Sequence, residues 1–229
     1  TTCVKILDAA VIISEPGVLN ASLTSTNITC FNANDGTITV FNPSGGSGSY
    51  QYSINGGILW SGSGNFTGLA PGSYDVRMRD ALNPGCYIIL NPTLVITQPS
   101  LISASASRTN VTCFGAADGT ITISGASGGS GVYEYTIDGG GKWQASNVFT
   151  GLNPGFYNVK IRDASSTSCV ITINSSLVVS EPAALNAILT KSNVTCNGAN
   201  DGTITISSPT GGYGTYEFSI DGGASWSSS

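Results

Sequence analysis

The chain has 229 residues, of which only 9% are charged, a net charge of −5 and no histidine. There is no basic patch, so a nucleic-acid partner is not expected, and there is no run of 18 apolar residues to form a membrane-spanning helix. Without histidine, Ser-His-Asp and Cys-His nucleophiles are excluded and zinc loses its usual nitrogen ligand.

The first landmark in chain order is Pro16, which returns as Pro99 and Pro182, a step of 83 residues. Cys3, Cys86 and Cys169 keep the same step, as do Cys30, Cys113 and Cys196, and Trp60, Trp143 and Trp226. A fixed period of this kind marks a tandem array. On that period residues 1–16 read as the C-terminal strand of a preceding repeat. Residues 17–99 and 100–182 are complete repeats, and residues 183–229 are the N-terminal half of a further one. A half module cannot bury a core, so the chain reads as a window on a longer protein.

Within the first full repeat, "CFNANDGTITV" from Cys30 comes first. Asp35-Gly36 reads as a tight turn, the Asn/Asp-Gly pair supplying its positive φ, that feeds an alternating strand. The oxygens of Asn32, Asn34 and Asp35 also suggest a calcium loop. The second copy, "CFGAADG", lacks both Asn side chains, which favours the turn. "YQYSI" then places Tyr52 and Ile54 on one face, with Tyr135 and Ile137 as their copies. "SINGGILW", "TIDGGGKW" and "SIDGGASW" follow the Asp-box pattern, a β-hairpin signature in which a carboxylate ties the turn and a Trp packs on it. Exposed, Trp60, Trp143 and Trp226 would instead offer a stacking platform for sugar.

"GLAPGSY" and "GLNPGFY" look like the tyrosine corner of immunoglobulin-like sandwiches. Tyr74 and Tyr157 would begin the sixth strand. Val76 and Met78, or Val159 and Ile161, would point to the core, and the seventh strand would carry "TLVITQP" or "SLVVSEP". No stretch has helical periodicity. The expected fold is all-β: tandem immunoglobulin-like β-sandwiches joined by linkers of a few residues around one Pro, stacked as a rod.

The recurrent acids, Asp35, Asp80 and their copies, sit in turns, and an array of identical turns is a simpler reading than an array of identical active sites. No catalytic, cofactor-binding or metal-binding residue is assigned, and no enzymatic activity is expected. Asn27, Asn110 and Asn193 open Asn-x-Thr sequons, read either as glycan acceptors or as polar positions near a strand end. Two Cys per repeat suit an oxidising, extracellular setting. In an immunoglobulin-like order the two Cys of one repeat fall at opposite ends of the sandwich. The trailing end of one repeat abuts the leading end of the next, which brings Cys169 towards Cys30. An inter-module disulfide between them, an intra-module bond and free thiols all stay open.

Taken in order, one repeat reads Asn-Val-Thr-Cys, Asp-Gly-Thr-Ile-Thr-Ile, Tyr-x-Tyr-x-Ile-Asp-Gly-Gly, Leu-x-Pro-Gly-x-Tyr, Arg-Asp-Ala, Cys and Glu/Gln-Pro. This resembles the SprB-type repeat of gliding-motility adhesins and other giant surface proteins of Bacteroidota. The resemblance implies a very long cell-surface protein exported by the type IX system. It also implies a link to surface motility machinery and a grip on external polysaccharide or solid surfaces. Two roles follow: a stiff stalk presenting a distal adhesive tip, or modules that each hold a weak glycan site multiplied by avidity.

Overall fold

The computed structural model describes Lys5 and residues 11–228. Cys3 and most of the expected strand at 1–16 lie outside the described residues. Every regular element among the described residues is a β-strand. The chain divides into two compact units, one ending at Leu101 and the other beginning at Ile102.

The first unit carries β1 (Asn20–Thr26), β2 (Gly36–Ser44), β3 (Tyr50–Ser53), β4 (Asn65–Leu69), β5 (Gly72–Asp80) and β6 (Tyr87–Ile96). They form two antiparallel sheets, ordered β1-β2-β4 and β3-β5-β6. Alternation sets their inner faces. Ile38 and Val40 of β2 meet Tyr52 of β3, Val76 and Met78 of β5 and Ile96 of β6 in one core. Each such side chain contributes about 1.5–3 kcal/mol through burial. This sheet order is that of an immunoglobulin-like sandwich.

The second unit repeats the pattern with β7 (Ser103–Thr109), β8 (Gly119–Ser127), β9 (Tyr133–Thr136), β10 (Val148–Leu152), β11 (Gly155–Asp163) and β12 (Val170–Val179). Its sheets are β10-β8-β7 and β12-β11-β9, and its core holds Val111, Ile121, Ile123, Tyr135, Val159, Ile161 and Val179. A further pair follows, β13 (Ala183–Ser192) against β14 (Thr203–Gly212). Ile204 of β14 is the counterpart of Ile121 yet is 57% exposed, against 0% for Ile121. β13 and β14 form a two-stranded sheet, and Phe218 and Ile220 line a pocket with Ile204 and Ile206 of β14.

The tyrosine corners are present. The Tyr74 hydroxyl donates to the Ala70 carbonyl at 2.8 Å, and Tyr157 donates to Asn153 at 2.7 Å. Three local expectations change. Each full repeat has six strands among the described residues, so the expected sixth and seventh strands are the fifth and sixth. No strand forms between β3 and β4, because the Asp-box turn folds back there. Ser61 and Tyr52 exchange both backbone hydrogen bonds at 2.8 Å.

Ile54 and Ile137 are half-buried, whereas Ser53 and Thr136 are buried. The hydroxyls of those two residues are drawn inward to hold the turn: Ser53 accepts from the Gly57 amide at 2.9 Å, and Thr136 donates to Asp138 at 2.6 Å. The alternation slips by one residue as a result. Gly36 does not supply the positive φ. That falls on Asn32 (61°) and Asn34 (52°), and on Gly115 (76°) in the second copy. Gly36 and Gly119 are needed for closeness: a Cβ on Gly119 would lie 2.7 Å from the Val179 side chain and 2.9 Å from the Leu152 carbonyl oxygen.

Ile161→Ala should therefore destabilise the chain by about 2–5 kcal/mol, and Ile137→Ala by less than half as much. Urea unfolding measures both, and a larger loss at Ile137 would mean that the strand face is misassigned.

Candidate functional site

The Cys30 loop is built by its own side chains. The Thr29 amide, at 2.9 Å, and hydroxyl both donate to the Asp35 carboxylate. Thr112 treats Asp118 in the same way, as Thr195 does Asp201. These hydrogen bonds, led by the Thr hydroxyl, hold all three carboxyls below their ordinary range. The Cys30 carbonyl accepts from the Ala33 amide at 3.0 Å, and the turn recurs at Cys113 and Cys196. The sequon Thr is thus the partner of the Asp-Gly carboxylate, a pairing that sequence reading missed although both recur at the same step.

The sequon Asn ties this loop to the end of its own repeat. Asn27 accepts from the Thr97 amide at 2.9 Å, and Asn110 from the Ser180 amide at 3.2 Å. Gln98 accepts from the Asn32 amide at 3.0 Å, and Glu181 from the Gly115 amide at 2.8 Å. The Gln-Pro and Glu-Pro linkers are therefore pinned to the repeat they leave.

At the other end the closing Asp of the Arg-Asp-Ala motif acts as a hub. Asp80 is buried and accepts from the Ser47 hydroxyl at 2.7 Å and amide at 2.6 Å, and from the Leu82 amide at 2.8 Å. The Ser47 hydroxyl and these amides lower its pKa to about 2. Asp163 does the same for Ser130 and Ser165. Burial opposes ionisation at Asp163, yet the Ser130 hydroxyl and the surrounding amides outweigh it and the pKa is lowered.

Each Asp-box Trp of a full repeat lies under an arginine. The Arg79 guanidinium sits 4.3 Å from the Trp60 ring centroid, and Arg162 sits 4.3 Å from that of Trp143. Gln51 holds Arg79 at 2.8 Å, and Glu134 holds Arg162 at 2.7 Å. Trp60 and Trp143 are half-buried, with one face taken by a cation. Trp226 is 62% exposed and donates its ring N–H to Gly223 at 3.1 Å. Asp138, anchored first by the Thr136 hydroxyl and then by the Lys142, Gly140 and Gly141 amides, is lowered to about 2. The arginines were legible as an Arg-Asp step repeating with each Trp, but their stacking was not. The sequence-assigned groups stay apart: the Trp residues are anchored at the hairpin turns, while Cys30 lies by the linker.

Cys30 and Cys169 are disulfide-bonded, whereas Cys86, Cys113 and Cys196 are exposed free thiols.

The SprB repeat model matches residues 22–58, 105–142 and 188–225, and each match starts 83 residues after the one before. No curated protein matches the chain. Among solved structures the chain is similar to the three N-terminal domains of the bacteriophage RB49 Highly Immunogenic Outer Capsid protein. The identity is 13%, over 83% of this chain and 70% of that one, with a TM-score of 0.40.

The lowered carboxyls fix a pH dependence. A depressed folded pKa adds stability above the unfolded value of 3.8, and that stability is lost as pH falls towards about 2. The melting temperature should drop between pH 4 and pH 2, and Asp80→Asn should flatten that slope. An unchanged slope in the variant would show that the Asp80 hub does not carry the effect.

Proposed function

We propose that this chain, which three SprB repeats mark as the repeat region of a surface adhesin-like protein, is a stiff stalk that spaces an adhesive tip from the cell for attachment and gliding. One observation carries this reading: the recurrent polar side chains are consumed in holding their own repeat. Asp35 holds Thr29, Asn27 holds the linker, Asp80 holds the Ser47 turn and Arg79 covers Trp60. Repetition of this kind copies a building block rather than a binding site. The disulfide fits an extracellular setting. On this reading residues 183–229 are the first half of another repeat, and the partners are neighbouring repeats and the cell's motility machinery. The type IX system would export the protein, and the distal tip would grip polysaccharide or a solid surface.

Stiffness follows from the linkers. Only Ser180, Glu181 and Pro182 separate β12 from β13, and the first two already bond to the preceding repeat. Pro182 fixes its own φ. Each added repeat should therefore lengthen the particle by roughly 40 Å, a strand of 8–10 residues plus its loops. Small-angle scattering on chains of two and three repeats measures this, and a maximum dimension that barely grows would sink the stalk.

The second reading, weak glycan sites at Trp60, Trp143 and Trp226, draws support from the exposure of Trp226. A glycan array probed with the chain and with its Trp143→Ala variant separates the two. The stalk reading expects no difference; binding that falls several-fold in the variant would favour the glycan site.

A further inference from the structure

In the first unit the two ends of the repeat are marked by separate bonds. The Asp80 amide donates to the Cys86 carbonyl at 2.9 Å while the Asp80 carboxylate holds Ser47, so Cys86 lies at the leading end, beside the Ser47 turn. Cys30 lies at the trailing end, where the Ile28 amide donates to the Thr97 carbonyl at 3.0 Å. The ten residues of β6 run between the two ends, roughly 30 Å and far beyond the reach of a disulfide. Cys86 is an exposed free thiol, and its own repeat offers it no partner. It borders a cleft of about 420 Å³ whose wall is the leading edge of the repeat: Pro16, Gly17, Val18, Leu19 and Gly46.

The second unit shows what such a wall accepts. Pro182, Ala183, Ala184, Leu185 and Gly212 stand two periods of 83 residues after those five positions. There they face Thr112, Cys113 and Phe114, the trailing loop of the repeat before them, across a cleft of about 440 Å³. The Tyr213 hydroxyl donates to the Val111 carbonyl at 3.1 Å and holds that loop in place. A Thr-Cys loop is therefore the partner that this wall fits. Cys86 shares its cleft with the same wall, so a loop seated there as Cys113 sits in the second unit brings its thiol to the Cys86 side. Both cysteine positions form disulfides elsewhere in the chain. Cys169, one period after Cys86, is bonded, and so is Cys30, one period before Cys113.

We propose that the leading end of the first unit is a docking site for the Thr-Cys loop of a second copy of this chain, and that Cys86 closes a disulfide with that loop's cysteine. The inference deepens the stalk reading, in which the partners are other repeats, and rests on it. Cys196 carries such a loop, Thr195-Cys196, and is an exposed free thiol. The wall offers apolar surface, with Val18 86% exposed. The single charge that lines the cleft, Asp80, is buried and taken up by the Ser47 turn. Such a bond joins two repeats end to end with no linker between them. Forming it takes one electron and one proton from each thiol, and a disulfide oxidant accepts both pairs and becomes two thiols.

Two variants of the full chain test this. Of Cys86, Cys113 and Cys196, one variant keeps only Cys86 (Cys113→Ser with Cys196→Ser), and the other keeps only Cys196 (Cys86→Ser with Cys113→Ser). They are mixed in equal amounts in a glutathione redox buffer, and the disulfide-linked peptides are mapped by mass spectrometry. Docking raises the local concentration of one thiol at the other, so the Cys86–Cys196 peptide should exceed either symmetric peptide by roughly tenfold. Adding Val18→Asp to the Cys86 variant puts a charge on the exposed wall and should bring the three peptides back to the statistical ratio. A statistical ratio without that substitution, an excess of either symmetric peptide, or no cross-linked peptide would overturn the proposal. A Val18→Asp chain that keeps the preference would do the same. The stalk reading fails separately, if scattering shows no growth per repeat while the Cys86–Cys196 peptide still dominates.

Discussion

One interaction recurs in turn after turn of this fold: an aspartate that accepts from a Ser or Thr hydroxyl together with nearby backbone amides. Asp35, Asp80, Asp118, Asp138, Asp163, Asp201 and Asp221 are all used in this way. Only Asp75, among the described aspartates, is paired with a cation, Arg77, at 2.6 Å. The sequence needs such bonds because its loops are rich in glycine and serine and carry few side chains to pack. A charged acceptor makes a hydrogen bond roughly twice as strong as a neutral one. A few carboxylates can therefore order the turns around a small core, and the same bonds pull their pKa values down.

These bonds also decide how the repeat meets its own ends. Asn27 and Gln98 fasten the linker to the loop that starts with Cys30, and Asn110 and Glu181 do so in the second copy. The closing aspartate fastens the opposite end, where Cys169 lies. Each cysteine is thereby held at a defined end of the sandwich. That placement keeps Cys113 and Cys169 of a single repeat from bonding to each other.

The Asp-box hairpin illustrates how a motif is absorbed into a fold. Its carboxylate or amide ties the turn, its Ser or Thr is pulled inward, and in the full repeats its Trp is covered by the arginine of a strand in the same sheet as β3 or β9. Asn55 substitutes for the Asp in the first copy without loss of the turn, since its side-chain oxygen still accepts from Leu59 at 2.9 Å. One face of Trp60 and of Trp143 is thus taken by an arginine, while Trp226 is exposed.

The sequence by itself determined the period, the all-β class, the tyrosine corner and the inward face of β5, because each is written in local spacing: a fixed step, a two-residue alternation, a Pro-Gly before a Tyr. It did not determine that Thr29 clasps Asp35, that Asn27 reaches Thr97, or that Arg79 lies on Trp60, since these pairs join strand ends and loops that only the folded sandwich brings together. Nor did it reveal that Ile54 and Ile137 yield the core to Ser53 and Thr136. Alternation assumes an unbroken strand, and here the turn's demand for a buried hydroxyl ends the strand one residue early.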